Sequence, residues 1–123
     1  MTSELDDGRR ANVIRYEGGY WIVSFDNAAV RLRDSKGWRH IVALLRSPDA
    51  ELHVSVLATG KHASGITAQE TERMRKQVSN RIREKLQALR DLHPSLWRHL
   101  EAAISTGACC AYRPVAPVRW TFR

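Results

Sequence analysis

The chain has 123 residues, 43% hydrophobic and 27% charged, a composition that excludes an intrinsically disordered or membrane-embedded protein and suits one small domain. Twenty Lys and Arg against 13 Asp and Glu give a formal net charge of +7, which favours a polyanionic partner such as nucleic acid. No apolar run approaches 18 residues and no secretory leader is recognisable, so we expect a cytoplasmic protein without membrane contact.

The first twelve residues are polar and are predicted to be a flexible tail, followed by a single domain over residues 13–123. Residues 13–33 predict an antiparallel meander of three β-strands, because β-branched and aromatic residues alternate between turn-forming residues. Asp34 or Ser35 is expected to cap a helix that ends at residues 47–49. Its core-facing residues recur at helical spacing and are Trp38, Ile41, Val42 and Leu45.

Shorter elements follow this helix. Residues 51–53 are expected to be extended, residues 54–58 to form a brief second helix, and residues 60–67 to form a loop. Thr67 and Glu70 have the spacing of a capping box, which predicts a long helix from Ala68 onwards. Pro94 disfavours helical conformation in the residue before it, so the long helix should end at or before His93.

The end of the chain predicts one more helix and a hairpin. Pro94 suits the first turn of a fourth helix, and Gly107 is expected to end it with a left-handed cap. The apolar side of this helix is supplied by Leu96, Leu100, Ala103 and Ile104. Residues 108–112 are predicted to pair with residues 118–122, with residues 113–117 as a stiff, proline-containing tip.

The long helix has two opposed faces. An apolar stripe recurs at spacings of three and four residues through Met74, Val78, Ile82, Leu86, Leu89 and Leu92. The opposite face carries Arg73, Lys76, Asn80, Arg83 and Gln87. Between residues 73 and 90 there are seven basic residues and one acid, so this helix holds most of the net positive charge. Such side chains suit the DNA major groove, although a simply solvated helix face is the alternative interpretation.

Catalytic and metal-binding chemistry has no recognisable site in the sequence. Cys109 and Cys110 are adjacent, and neighbours in a strand point to opposite faces, so no disulfide is expected and at least one should be a small buried hydrophobe. The five histidines are scattered without zinc-ligand spacing, and there is no nucleophile elbow or phosphate loop. We therefore predict no enzyme activity, no metal site and no cofactor.

A hairpin after a basic helix is the order that a winged helix-turn-helix requires. The stretches VRLRDSKGWRHIVALLRSPDAELHVSVL, QVSNRIREKLQAL and SLWRHLEAAISTGACCAYRP…VRW resemble a winged-helix module at the C-termini of actinobacterial and other bacterial regulatory ATPase-like proteins. More distantly, the chain resembles OmpR/PhoB-type output domains, from which it departs by the helix inserted after Pro94. The resemblance covers roughly residues 16–120 and implies an α+β winged helix-turn-helix that binds DNA.

On this resemblance, the helix over residues 68–92 would enter a major groove, and the C-terminal hairpin would be the wing. Asn80 and Arg83 are predicted base readers, because Asn can bond adenine N6 and N7 while Arg can bond guanine O6 and N7. Lys61 and His62, just ahead of the helix, either touch the DNA backbone or belong to a solvated loop. Arg73 and Lys76 are expected to anchor phosphates, as is Ser79 if the helix rotates toward the DNA backbone, and Arg113 is the predicted wing contact. The full set of predicted DNA-binding residues is Arg73, Lys76, Ser79, Asn80, Arg83, Gln87, Lys61 and Arg113.

The predicted function is that of a bacterial, sequence-specific DNA-binding transcription regulator associated with the nucleoid, whose partner is double-stranded DNA. A homodimer, through Tyr20 and Trp21, and contact with RNA polymerase or another regulator are left open. The alternative is a protein-interaction or adaptor module on a winged-helix scaffold that docks an acidic partner. RNA binding is disfavoured because no aromatic residues interleave with the basic ones on the long helix.

Overall fold

The computed structural model describes residues 12–61 and 64–123. The strands are β1 (Asn12–Glu17), β2 (Tyr20–Phe25), β3 (Ala28–Arg33), β4 (Leu52–His53), β5 (Ile104–Ser105), β6 (Cys109–Tyr112) and β7 (Trp120–Phe122). The helices are α1 (Lys36–Arg46), α2 (Val54–Thr59), α3 (Ala68–Leu92) and α4 (Pro94–Ala103). The α+β class and the predicted order of helices are confirmed. The predicted tail lies outside the described residues except for Asn12, which is the first residue of β1.

The N-terminal meander forms as predicted, with β1 antiparallel to β2 and β2 antiparallel to β3. Asp26 and Asn27 join β2 to β3 with φ angles of 52° and 63°. Both angles lie in the left-handed region, which the tightest two-residue hairpin turns require and which Asp and Asn tolerate. The turn therefore sets the register in which Val23 lies opposite Val30.

The predicted C-terminal hairpin is wrong in its pairing. β7 runs parallel to β1 at the edge of the N-terminal sheet, whose strand order is β3-β2-β1-β7. β6 instead lies between β4 and β5 in a second sheet of three short strands. The alternation of Trp120 and Phe122 correctly indicated an apolar face, but that face packs against the core next to Ile14. The seven residues 113–119, which contain two prolines, carry the chain from one sheet to the other.

A cluster of rings holds β7 in this place. The Trp120 indole N–H donates to the Tyr112 hydroxyl at 3.1 Å, and that hydroxyl lies 2.5 Å from Nε2 of His99. The Phe25 ring stacks on both His99 and Trp120, with centroid distances of 5.0 and 5.6 Å. Burial lowers the pKa of His99, which favours the neutral ring that can accept the hydroxyl hydrogen. The cluster joins both sheets to α4.

The end of α4 also differs from the prediction. The helix stops at Ala103, and Gly107 is not its cap, since Ile104 is already extended with φ −94° and ψ 128°. Ile104 pairs with Tyr112 and Ser105 pairs with Ala111, so β5 and β6 form a short hairpin that turns at residues 106–108. The backbone groups of Ile104 and Ser105 therefore have their partners in a ladder with β6 instead of in a further helical turn.

The N-terminal caps of α1 and α3 follow the sequence signals. The Ser35 hydroxyl accepts the N–H of Trp38 at the start of α1. Thr67 and Glu70 form the complete capping box at the start of α3. In each case the cap supplies an oxygen to a backbone N–H that has no partner within the helix. These signals act within four residues, which is why they could be identified without the fold.

The core lies where α1, α3 and α4 meet the inner side of the N-terminal sheet, and its fully buried residues include Ile14, Ile41, Leu44, Val78, Ile82, Leu89, Leu96 and Leu100. The predicted stripe on α3 is buried except at its ends: Met74 is partly covered and Leu92 is 60% exposed, because the helix stops there. Cys110 is buried and Cys109 is exposed, as expected for at least one small buried hydrophobe. Within residues 12–61 and 64–123, no helix combines the length and hydropathy of a bilayer-spanning segment.

Candidate nucleic-acid interface

The polar face of α3 lies on the molecular surface. Five of the predicted contact residues are exposed along it: Arg73, Lys76, Asn80, Arg83 and Gln87. The other sides of the helix contact α1, α2 and α4. We call these five residues the α3 polar face. Its exposure follows from the 3.6-residue period, which places the apolar stripe and these side chains on opposite sides of one rod.

The two predicted base readers are hydrogen-bonded to each other. Arg83 Nη1 donates to Oδ1 of Asn80 at 3.1 Å, a pair separated by three residues along the helix. The bond uses one of the five N–H groups of the guanidinium and leaves the amide NH₂ of Asn80 outside the pair. It orients both planar groups at the middle of the α3 polar face before any ligand arrives.

Among the described residues, the cations of this face lack salt bridges of the kind that Arg75 and Lys85 make on the same helix. Arg75 contacts Glu72 at 2.5 Å, and the guanidinium holds the pKa of the Glu72 carboxyl below its usual range. In contrast, Arg73, Lys76 and Arg83 have no carboxylate within salt-bridge distance among the described residues. Of the five α3 cations without a salt bridge among the described residues, three lie on the polar face, and the other two are Arg81 and Arg90.

Ser79 does not belong to this face. It is only 6% exposed, and its Oγ is buried without a hydrogen-bond partner in the described part of the chain. It lines a cavity of about 130 Å³ between α3, α4 and the β5–β6 hairpin. Val78 and Ile82 are buried in the core and fix the rotation of α3 about its axis. In this rotation Ser79 faces the protein and cannot reach a phosphate.

Arg113 does not lie at a hairpin tip. The β5–β6 hairpin turns at residues 106–108, whereas Arg113 follows β6 at the other end. Its backbone N–H donates to the Ala103 carbonyl at 2.8 Å, and its guanidinium lies 3.3 Å from a Glu51 oxygen. The predicted place of Arg113 at a hairpin tip is therefore wrong, whereas a DNA contact by this residue stays a prediction. The tip of the observed hairpin is uncharged and offers only the Thr106 hydroxyl and backbone groups.

Lys61 lies on the surface directly after α2, which Gly60 ends in the left-handed conformation with φ 80°. The backbone N–H of Lys61 donates to the Thr59 hydroxyl at 3.3 Å, and that hydroxyl in turn donates to the Ser55 carbonyl oxygen at 2.7 Å. The local backbone is thus ordered by Thr59 and the side chain extends from it. The predicted contact of His62 lies outside the described residues.

The sequence analysis did not single out His40, a buried residue of α1 that lies near Arg81 of α3. It is 4% exposed, and its Nε2 has no hydrogen-bond partner among the described residues. Burial, followed by the nearby charges of Arg81 and Lys36, lowers its pKa to about 4. The ring is therefore neutral near pH 7 and packs as an uncharged side chain. A signal was available, since His40 shares the buried side of α1 with Gly37, Ile41 and Leu44 at helical spacing.

Comparison with protein-family models, with curated proteins and with solved structures finds no match to this chain. Within the described residues, no group of three His, Cys, Asp or Glu side chains is placed to hold a metal ion.

Proposed function

We propose that the protein is a sequence-specific DNA-binding transcription regulator that inserts the α3 polar face into a major groove. The observation that carries this proposal is the exposed row of Arg73, Lys76, Asn80 and Arg83, whose cations have no carboxylate partner among the described residues. An α-helix fits the major groove, which is about 12 Å wide, and these side chains match the donors and acceptors displayed there.

The surrounding elements support the same proposal. α2 precedes α3, and a short hairpin, β5–β6, comes after the inserted α4. This order is similar to that of a winged helix-turn-helix, with the β5–β6 hairpin in the place of the wing. Because the hairpin tip is uncharged, we assign backbone attraction to α3 and Lys61 rather than to the wing. On this proposal the protein acts on the nucleoid, alone or as a homodimer, and alters access or recruitment of RNA polymerase.

Binding to arbitrary duplex DNA across a salt series tests the proposal. Contact with about four to seven phosphates predicts that log affinity falls against log salt with a slope of about −4 to −6, because each neutralised phosphate releases counterions. Fluorescence anisotropy of a labelled duplex gives this slope. A salt-independent or undetectable signal would contradict DNA binding.

A protein-interaction or adaptor module is the second candidate. It is favoured by the eight-residue connection 60–67 between α2 and α3, which is longer than the usual helix-turn-helix turn of about three or four residues. It is also favoured by the exposed Leu92 beside the Arg90–Trp97 cation–π pair at the end of α3. On this alternative, Leu92→Ser abolishes partner binding and leaves any DNA affinity unchanged.

A further inference from the structure

A second basic surface lies on the outer side of the N-terminal sheet. Ile14, Val23 and Leu32 point from β1, β2 and β3 into the core, so their neighbours in each strand point the other way. The residues of this outer sheet face are Val13, Arg15, Glu17, Tyr20, Ile22, Ser24, Ala29, Arg31, Arg33 and Thr121. Three of them are arginines and only one is acidic.

The strand register groups these charges. Ile22 of β2 pairs with Arg15 of β1 on one side and with Arg31 of β3 on the other. Arg33 of β3 pairs with Tyr20 of β2. Two strand spacings separate Arg15 from Arg31, which is about 10 Å. Arg15 Nε lies 2.7 Å from the Glu17 carboxylate. Arg31 and Arg33, both exposed, have no carboxylate partner among the described residues.

The guanidinium of Arg31 is held in a defined position. Its central carbon lies 3.8 Å from the centroid of the Tyr20 ring, within the range of a cation–π contact. A guanidinium held this way loses less rotational freedom on binding, and its N–H groups remain arranged to bond two oxygens of one phosphate. The outer sheet face thus presents one ordered phosphate donor, Arg31, beside the exposed Arg33.

This surface is distinct from the α3 polar face. The inner side of the sheet and the apolar stripe of α3 contribute to one hydrophobic core, for example through Val23 and Ile82. Each polar face points away from that core on its own element. Contact at one surface therefore leaves the other accessible.

We infer that the outer sheet face binds the phosphate backbone of a second DNA duplex, so that one molecule bridges two duplexes. Charge complementarity selects this occupant, since the three arginines of the face outnumber its single carboxylate and arginines bond phosphate oxygens without reading the sequence. The backbone contact itself goes beyond the proposed function, because it needs no sequence reading by α3. Bridging, however, rests on the α3 contact as well.

A bridging assay tests this inference. One duplex is immobilised on beads, protein is added, and capture of a fluorescent second duplex is measured at low salt. The variant Arg31→Gln/Arg33→Gln should lower capture of the second duplex by tenfold or more, while its affinity for a selected single duplex stays within about twofold. Glu17→Gln should increase capture, because it removes the acid of this face.

Matched variants separate this inference from the proposed function. Lys76→Gln/Arg83→Gln removes two charges from the α3 polar face and should abolish binding to the selected duplex while weak, sequence-independent binding at the sheet persists. Arg46→Gln/Arg98→Gln removes two exposed arginines that lie outside both surfaces, and this variant should bridge like the wild type. If the α3 assignment fails, the α3 variant behaves like the wild type and only the sheet variant loses DNA.

Three results would overturn the inference. One is undiminished capture by Arg31→Gln/Arg33→Gln, with thermal melting showing that the variant is folded. Another is equal loss of capture in Arg46→Gln/Arg98→Gln, which would indicate only a general charge effect. The third is that the sheet variant loses capture together with a change from dimer to monomer in light scattering, since bridging would then come from dimerisation.

Discussion

Lys76 and Arg83 share the α3 polar face, but we expect different contributions from them. Arg83 is oriented by its bond to Asn80 and is assigned to base edges, whereas Lys76, which makes no salt bridge among the described residues, is assigned to phosphates. Arg83→Ala should cost about 1–3 kcal/mol on a selected site and relax the sequence preference there. Lys76→Ala should weaken all sequences alike and make the salt slope shallower by about one.

Competition binding between a selected duplex and a scrambled one measures both effects. Gln87→Ala, near the end of the same face, serves as the comparison for removal of an uncharged side chain. If the two substitutions changed specificity equally, the division between base reading and phosphate anchoring would be incorrect.

His40 predicts a loss of stability in mild acid. Its pKa is about 4 in the folded protein, below its ordinary value near 6.5, so the unfolded chain takes up the proton first as the pH falls. The free energy of unfolding should therefore decrease between about pH 6.5 and pH 4 and then level off. The contribution of this residue is at most about 3 kcal/mol.

Urea denaturation of the wild type and of His40→Gln at pH 7 and pH 4.5 measures this contribution. The variant should lose less stability on acidification than the wild type, although it can be less stable at pH 7. Identical losses in both proteins would show that other groups are responsible.

The contact between α1 and α3 depends on one glycine. A Cβ built on Gly37 would lie 2.7 Å from the Arg81 carbonyl oxygen and 2.6 Å from Cγ of Lys85. The side chain of Lys85 can move, but the helix backbone at Arg81 cannot move without separating the helices. Gly37→Ala should therefore destabilise the protein by about 1–3 kcal/mol, even though alanine favours helix by about 1 kcal/mol.

Chemical denaturation checks this prediction, with Gly107→Ala as the control. A Cβ at Gly107 would meet its nearest atom, the Cys109 carbonyl oxygen, at 3.4 Å, and we expect a small effect. If Gly37→Ala raised the stability, helix propensity would outweigh the contact and the close approach would be unimportant.

The junction of α3, α4 and the N-terminal sheet depends on His93. Its Nδ1 accepts the N–H of Leu96 at 3.2 Å, which leaves the hydrogen on Nε2, 3.1 Å from the carbonyl oxygens of both Phe25 and Ala28. His93→Ala removes partners from three backbone groups and should cost about 2–4 kcal/mol. His53→Ala, which removes a cap from the short helix α2, should cost about 1 kcal/mol. Thermal melts measure the loss of stability in each variant. Equal losses would contradict the conclusion that His93 holds α3, α4 and the sheet together.

At the scale of the whole molecule, the proposed function depends on the α3 polar face, and the inferred bridging of two duplexes depends on this face and the outer sheet face around one core. The α3 polar face follows directly from helical periodicity and could be predicted with its residues. The outer sheet face could not, because the arginines of β1 and β3 come together only through the cross-strand register with β2. Gly37 and His93 likewise appear ordinary in the sequence, since their neighbours belong to elements distant along the chain.

The sequence by itself determined the helices, the meander and the N-terminal caps of α1 and α3, because turn residues, capping boxes and apolar periodicity act over a few neighbouring positions. Only the tertiary structure decided that β7 pairs with β1, that Ser79 is covered and that Arg113 is remote from the hairpin tip. Ile14 and Phe122 are paired although more than a hundred residues separate them. Such a pairing depends on which apolar surface remains open after the helices have packed, and no local pattern carries that information.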